Sequence, residues 1–401
     1  MRSPTKQPGL QPGLHRSDLF TSAPLPIAAL DDAERLACLR LIRSENVGPV
    51  TFRELINTYG GAQSALDALP ELSRRSGRKR PLRLCPRDVA EHELEAARAC
   101  GAQPIFTIEP GYPRLLAEVD VPPPMLYVKG DPAILSRSMI AVVGSRQCSA
   151  AGTKLTAMFA ADLGRAGFVV ASGLARGIDG AAHEAALETG TVAVLAGGID
   201  QIYPPEHAVL YARIAERGCL ITEMAPGYSP RAQDFPRRNR IISGVSLGVI
   251  IVEAAKRSGT SLTAHFALEQ GREVFAVPGH PLDPRAEGTN KLLKDGAILV
   301  TSAQDVLDIL GPITGATPVR VAEPAQPAPS PHTGPVTAAL ADGDLARVAS
   351  VLGPHPIDID AIVQATSLPI RAIQIALMEL DLSGRIERHG AQLVSLRPTP
   401  D

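Results

Sequence analysis

MIAVVGSR (139–146), FVVASGLARGIDGAAH (168–183) and VIIVEAAKRSGTSLTA (249–264) share one pattern: an apolar run leads directly into a loop of glycine, hydroxyl or arginine residues, and then into a helix-forming stretch. Runs such as VIIV and VAVL lack polar alternation, as strands buried on both faces of a parallel sheet should. Working outward, apolar runs at 191–195, 219–222, 273–276 and 298–300 join 139–143, 168–171 and 248–252 as candidate strands. Helical stretches separate most of them, so residues 106–310 read as repeated βαβ units: an α/β unit with a doubly wound, mostly parallel sheet. In such a sheet the strand-to-helix loops emerge at the carboxyl ends of the strands and can converge on one crevice.

The loops are suited to an anion. Gly144 permits close backbone approach, Ser145 offers a hydroxyl and Arg146 a charge-assisted contact to phosphate. Ser172, Gly173 and Arg176 form the second loop, and Ser258, Gly259, Thr260 and Thr263 crowd the start of a helix, where unpaired N–H groups favour phosphate oxygens. FPRRNR (235–240) adds Arg238, Asn239 and Arg240, within a stretch of four arginines in ten residues at 231–240. Each feature also has a structural reading: a plain strand–helix turn, or an ion-pair network with acids such as Asp234 and Glu253. Phe235 is either core or a base-stacking platform. With 3% aromatic residues and no Trp, backbone contacts should dominate over stacking.

Signals for catalysis are weaker. Asp179 and His183 stand four apart on one helix face, and we read them as helix-start and packing residues rather than as an acid/base pair. Glu253 is the one strand-end carboxylate in a plausible place. Neither G-x-G-x-x-G nor a Walker loop occurs after the first strand. The five cysteines (38, 85, 100, 148 and 219) form no C-x-x-C pair and the nine histidines no H-x-x-x-H spacing, so no metal or other cofactor is expected. The net charge of −2 weighs mildly against nucleic-acid binding, but the local arginine excess matters more than the sum.

At 401 residues the chain should hold two to three domains. Residues 1–30 are Pro/Gly-rich without an apolar signal core and read as a flexible tail of a cytoplasmic protein. Residues 31–105 read as short helices, with Asp31 or Asp32 as a cap, a Gly48-Pro49 turn and a closing Gly60-Gly61. This pattern resembles helix-hairpin-helix or SAM-like modules. The basic run at 73–83 reads as an exposed loop. Residues 311–335 form a Pro/Ala-rich linker. Residues 336–401 follow winged-helix order, three helices and then a hairpin with His389-Gly390 in its turn, and with Ser367 as cap of the third helix. That helix carries only Arg371 as a basic residue, so major-groove reading would be poorly driven.

Taken together, YPRLLAEVDVPPPMLYVKG, IAVVGSR, SGLARGIDGAAHEAAL, AVLAGGIDQIYPPEH, ITEMAPG, FPRRNRIISG, VEAAKRSGTSLTA, FAVPG and GTNKLLKDGA resemble, in order, the DNA-processing protein A family (DprA, also called Smf). The resemblance covers residues 106–305. It implies an extended Rossmann-like core that binds single-stranded DNA and pairs as a homodimer. It also implies loading of the RecA recombinase, with displacement of single-strand-binding protein, during natural transformation. The phosphate-contacting residues it implies are Ser145, Arg146, Ser172, Gly173, Arg176, Phe235, Arg238, Asn239, Arg240, Ser258, Gly259, Thr260 and Thr263. One departure is Ala150-Ala151, where a hydroxyl or aromatic residue is common. The competing reading is a nucleotide-binding, phosphoribohydrolase-like enzyme, which a P-G-G-x-G-T loop would mark; the chain has Val277-Pro278-Gly279-His280 and no such loop.

Overall fold

The computed structural model describes residues 30–75, 80, 82–256, 258–314 and 343–397. The expected tail, most of the linker and the centre of the basic run at 73–83 lie outside them.

The first unit is helical: α1 (Asp32–Arg43), α2 (Pro49–Tyr59), α3 (Ala62–Arg75) and α4 (Arg87–Ala99). Asp31 caps α1 by accepting from Glu34 N, and Pro49 starts α2, where its missing N–H costs nothing. Gly60 closes α2 with φ 75°, a conformation that only glycine adopts freely.

The central unit runs β1 (Ala102–Phe106), α5 (Arg114–Ala117), β2 (Met125–Gly130), β3 (Met139–Val143), α6 (Ala150–Arg165), β4 (Val169–Ser172), α7 (Ile178–Ala186), β5 (Thr191–Val194) and α8 (Ala208–Arg217). It continues with β6 (Cys219–Thr222), α9 (Asp234–Gly244), β7 (Gly248–Ile251), α10 (Gly259–Glu269), β8 (Glu273–Ala276), α11 (Glu287–Lys294), β9 (Ile298–Leu299) and α12 (Ala303–Thr314). Among the described residues the sheet has nine strands in the order β1-β2-β6-β5-β4-β3-β7-β8-β9. From β6 to β9 the pairings are parallel, whereas β2 joins β6, and β1 joins β2, antiparallel. Each of the seven strands read from the sequence is present. β1 and β2 were not among them: β1 contains Pro104, which a sheet tolerates at its edge.

Both faces of the sheet are buried. In β3, Ala141 and Val143 pack into one apolar cluster, and Ile140 and Val142 into another on the opposite face. Strand order reverses direction between β3 and β7, the switch point where loops on either side splay apart and leave a crevice.

The last unit comprises α13 (Asp344–Val351), β10 (Ile357–Asp358), α14 (Ile359–Thr366), α15 (Ile370–Leu382), β11 (Ile386–His389) and β12 (Leu393–Leu396), a winged-helix arrangement with its own core. Ser367 does not cap α15. It ends α14 at φ 53°, donating its N–H to Val363 O, and Pro369 leads into α15. α15 packs on α2 and α3, and Met378 and Leu382 join the core of the first unit beside Phe52, Leu55 and Leu69. No single helix among the described residues is long and apolar enough to cross a membrane.

Candidate functional site

The loops that follow β3, β4 and β7 meet the start of α9 around an open cavity of about 570 Å³. Its walls include Gly144, Ser145, Arg146, Arg176, Asp179, Phe235, Arg238, Asn239, Ser258, Gly259, Thr260 and Thr263. Ten of the residues anticipated as phosphate contacts thus share one cavity. The other three stand elsewhere. Ser172 is fully buried and donates its hydroxyl to Val142 O at 2.7 Å. Gly173 faces a smaller adjoining hollow. Arg240 is 19% exposed and turns away, bonding Glu223 at 2.7 Å and Val121 O at 3.0 Å. The helical twist of α9 explains the split: residues 238 and 239 face the strand ends and residue 240 the opposite side.

Close packing fixes the loops. A Cβ on Gly144 would lie 2.7 Å from the Ile178 side chain and 3.0 Å from Glu253 O, so the β3 loop closes only with glycine there. A Cβ on Gly177, at φ 75°, would meet Ser145 O at 2.3 Å. Ile178 N donates to Ser145 O, tying the first loop to the second. Thr260 donates to Gly144 O at 3.2 Å and Asn239 to Gly259 O at 3.1 Å, tying the third loop and α9 to the same frame. Thr260 and Asn239 therefore present their remaining groups on a lattice already rigid, the preorganisation an anion site needs.

Glu253 is a structural staple. Its carboxylate accepts from Ser149 N at 3.0 Å and Ser149 Oγ at 2.6 Å, and Ser149 in turn caps α6 through Gly152 N. It does not line the cavity.

The floor holds two buried charged side chains, Arg238 and Asp179. Arg238, 5% exposed, donates to Gly173 O and to Val194 O, pinning the carboxyl ends of β4 and β5 together. Burial draws its guanidinium down to about 10, with Asp179 opposing the shift, so it stays charged at neutral pH. Asp179 accepts from Gly173 N and Ala175 N; burial raises its carboxyl pKa, while Arg238 and those two N–H groups hold it down. His183 is fully buried and its pKa is pushed down to about 3 by burial. Its Nε2 accepts from Leu174 N and its Nδ1 lies 2.7 Å from Thr191 Oγ1, whose own hydroxyl donates to Val170 O. That chain of donors specifies a neutral ring protonated on Nδ1. Asp179 and His183 thus organise the β4–α7 turn, as the structural reading of the sequence held.

Above this floor, Arg146 and Arg176 are exposed, and Arg176 has only a loose pairing with Glu206 at 3.7 Å. The α10 N-terminus adds its unpaired N–H groups, and the Ser258 hydroxyl is buried with no hydrogen-bond partner among the described residues. The cavity therefore offers cationic side chains, hydroxyls and a helix start to a polyanion. Sequence reasoning missed Tyr203, whose ring stands 5.3 Å from that of Phe235 at the cavity rim. The signal available was an aromatic residue in a Pro-rich loop beyond the carboxyl end of β5.

Comparison with known proteins agrees with this layout. A family model described as DNA recombination-mediator protein A matches residues 103–311. Models for a DprA-like N-terminal HHH domain and a DprA winged helix domain match residues 32–96 and 322–392. Protein Smf of Escherichia coli is 41% identical over 288 residues, 71% of this chain and 75% of that protein. DNA processing protein DprA of Bacillus subtilis is 42% identical over 220 residues, 54% of this chain and 74% of that protein. The X-ray structure of DprA from Streptococcus pneumoniae superposes with a TM-score of 0.58 at 33% identity, over 70% of this chain and 98% of that one. With all three of its units matched in order, the chain belongs to the DNA recombination-mediator protein A (DprA/Smf) family.

Proposed function

We propose that this protein is a non-catalytic mediator of recombination that binds single-stranded DNA in the switch-point cavity. In this reading it loads RecA on incoming strands, displaces single-strand-binding protein during natural transformation, and works as a homodimer paired through its core in the cytoplasm. The observation that carries the reading is the convergence of three strand-end loops, two of them bearing hydroxyls, one helix start and the exposed Arg146 and Arg176 on one open cavity. Such a site holds a phosphate backbone without reading sequence. Among the described residues no group of His, Cys, Asp and Glu is arranged to hold a metal ion. The phosphoribohydrolase-like alternative would call on Glu253, but both of its carboxylate oxygens are engaged by Ser149.

The test is strand binding against salt for the wild type and Arg146→Ala, with duplex DNA and mononucleotides alongside. Binding should be strand-selective, and loss of the one contact should lower the magnitude of the salt slope by about 0.7. Turnover of a mononucleotide without strand binding would overturn the reading. RecA filament assembly on strands coated with single-strand-binding protein then tests the mediator step, and sedimentation equilibrium the dimer.

A further inference from the structure

We propose that the cleft between α2 of the helical unit and α15 of the winged unit is a second anion site, one that takes a free nucleotide and clamps the two units together. The cleft has a volume of about 350 Å³ and shares no lining residue with the strand cavity. Arg53 lines it from α2 and Arg371 from the first turn of α15. Arg53 reaches only the Asp120 backbone oxygen, at 3.5 Å, and Arg371 has no hydrogen bond or ion pair among the described residues. Burial lowers the Arg53 pKa, and neither Glu54 nor Asp120 makes up for it. Arg388, at the same junction, shows the contrast: it is matched by Glu54 at 2.9 Å and Asp381 at 3.1 Å. Glu54 is the one carboxylate lining the cleft, and Arg388 already donates to it. Two cations thus share one opening without a counter-charge of their own, an arrangement that costs free energy until an anion enters.

The other walls specify the class of anion. Asn57, Gln374 and Gln392 present side-chain amides without a hydrogen-bond partner among the described residues, suited to the polar edge of a base or to a ribose hydroxyl. Ile359, Ile370 and Met378 add an apolar wall, and Ile370 is 37% exposed there. Guanidinium groups for phosphate, with amides and apolar surface beside them, match the parts of a nucleotide. The two arginines belong to different units, so a ligand that holds both binds the docked arrangement better than a released one and shifts the molecule toward it. Met378 and Leu382 already pack into the core of the helical unit, and the ligand reinforces that contact from the solvent side.

The experiment is peptide-resolved hydrogen exchange on the full chain, titrated with ATP, pyrophosphate, adenosine or a short DNA duplex. ATP should slow exchange in α2 and α15, adenosine should not, and pyrophosphate should do so only at higher concentration. Arg53→Ala and Arg371→Ala should each shift the ATP response to about 10-fold higher concentration or more, the loss of one charge-assisted hydrogen bond. Both variants should unfold at the wild-type temperature, since neither arginine holds an ion pair. Arg146→Ala, in the strand cavity, should leave the response of α2 and α15 unchanged. No protection of these helices at millimolar ATP would overturn the site, as would protection that survives both substitutions in the cleft. Pyrophosphate acting at the same concentration as ATP, or protection by the duplex and not by ATP, would overturn the nucleotide assignment.

Discussion

Two arginines, one buried and one half-buried, hold this molecule together in different ways. Arg238, beneath the crevice, donates to two backbone carbonyls, Gly173 O and Val194 O, with Asp179 nearby as its counter-charge. Arg388, at the junction of the winged and helical units, bonds two side chains instead, Glu54 at 2.9 Å and Asp381 at 3.1 Å, and Asp381 also accepts from Thr51 Oγ1 at 2.6 Å. The carboxylates at the junction are 20% and 18% exposed and can swing into water if Arg388 is lost. The carbonyls under the crevice belong to the ends of buried strands and have no such escape. A cation that pins backbone is therefore costlier to remove than one that clasps side chains, and only the first holds the anion loops in place.

The sharpest way to break this comparison is Arg238→Ala. It should cost about 3–5 kcal/mol in denaturant unfolding, because two buried carbonyls lose their charged donor and Asp179 stays buried without the nearby guanidinium, and should abolish strand binding as the β4 loop shifts. A variant that unfolds like the wild type would show that Gly173 O and Val194 O find other donors. A related test uses acid. Folded His183 has a pKa pushed from 6.5 to about 3, so the unfolded chain takes up a proton that the folded chain refuses. Its stabilising contribution is full above pH 6.5 and is lost as pH falls from there toward 3. The loss by pH 4 should be about 3 kcal/mol, read as a falling unfolding free energy that His183→Gln does not share.

Arg388→Met should have a smaller effect, about 2 kcal/mol, because its partners can rehydrate and the methionine keeps some packing. Hydrogen exchange should speed up in α2 and α15 while strand affinity stays within about twofold of the wild type, since no junction residue lines the cavity. A large loss of affinity would make the winged unit part of the strand site. Arg146→Ala should change stability least, by about 0.5 kcal/mol or less, because its side chain is exposed, while weakening binding to every strand sequence alike.

Much of the central unit was legible before any coordinates. Continuous apolar runs such as VIIV leave one option, a strand covered on both faces, and seven such runs separated by helices leave a doubly wound parallel sheet. The edge strands β1 and β2 were not legible in this way. Pro104 interrupts β1, and antiparallel pairing at an edge depends on which neighbour is free, not on local pattern. Helix caps were read unevenly. Asp31 caps α1 as its position before an amphipathic stretch implies, whereas Ser367 takes the left-handed conformation and closes α14, a choice set by the turn into Pro369.

The same division applies to the site. The sequence alone determined that glycine, hydroxyl and arginine residues stand at strand ends, because chain order and the right-handed βαβ connection place those loops on one edge of the sheet. Only the tertiary structure decided which of them face the cavity. Arg238 and Arg240 are two residues apart in one run, yet the first is buried beneath the crevice and the second is spent on Glu223 and Val121 O. Composition suggested that backbone contacts would dominate over stacking; folding nonetheless brings Tyr203 and Phe235, 32 positions apart in sequence, to within 5.3 Å at the rim. Local sequence dictates backbone conformation and the approximate end of each strand. Side-chain direction around a helix, and the meeting of residues distant in sequence, depend on how the helices settle on the sheet, which is a property of the whole packed core.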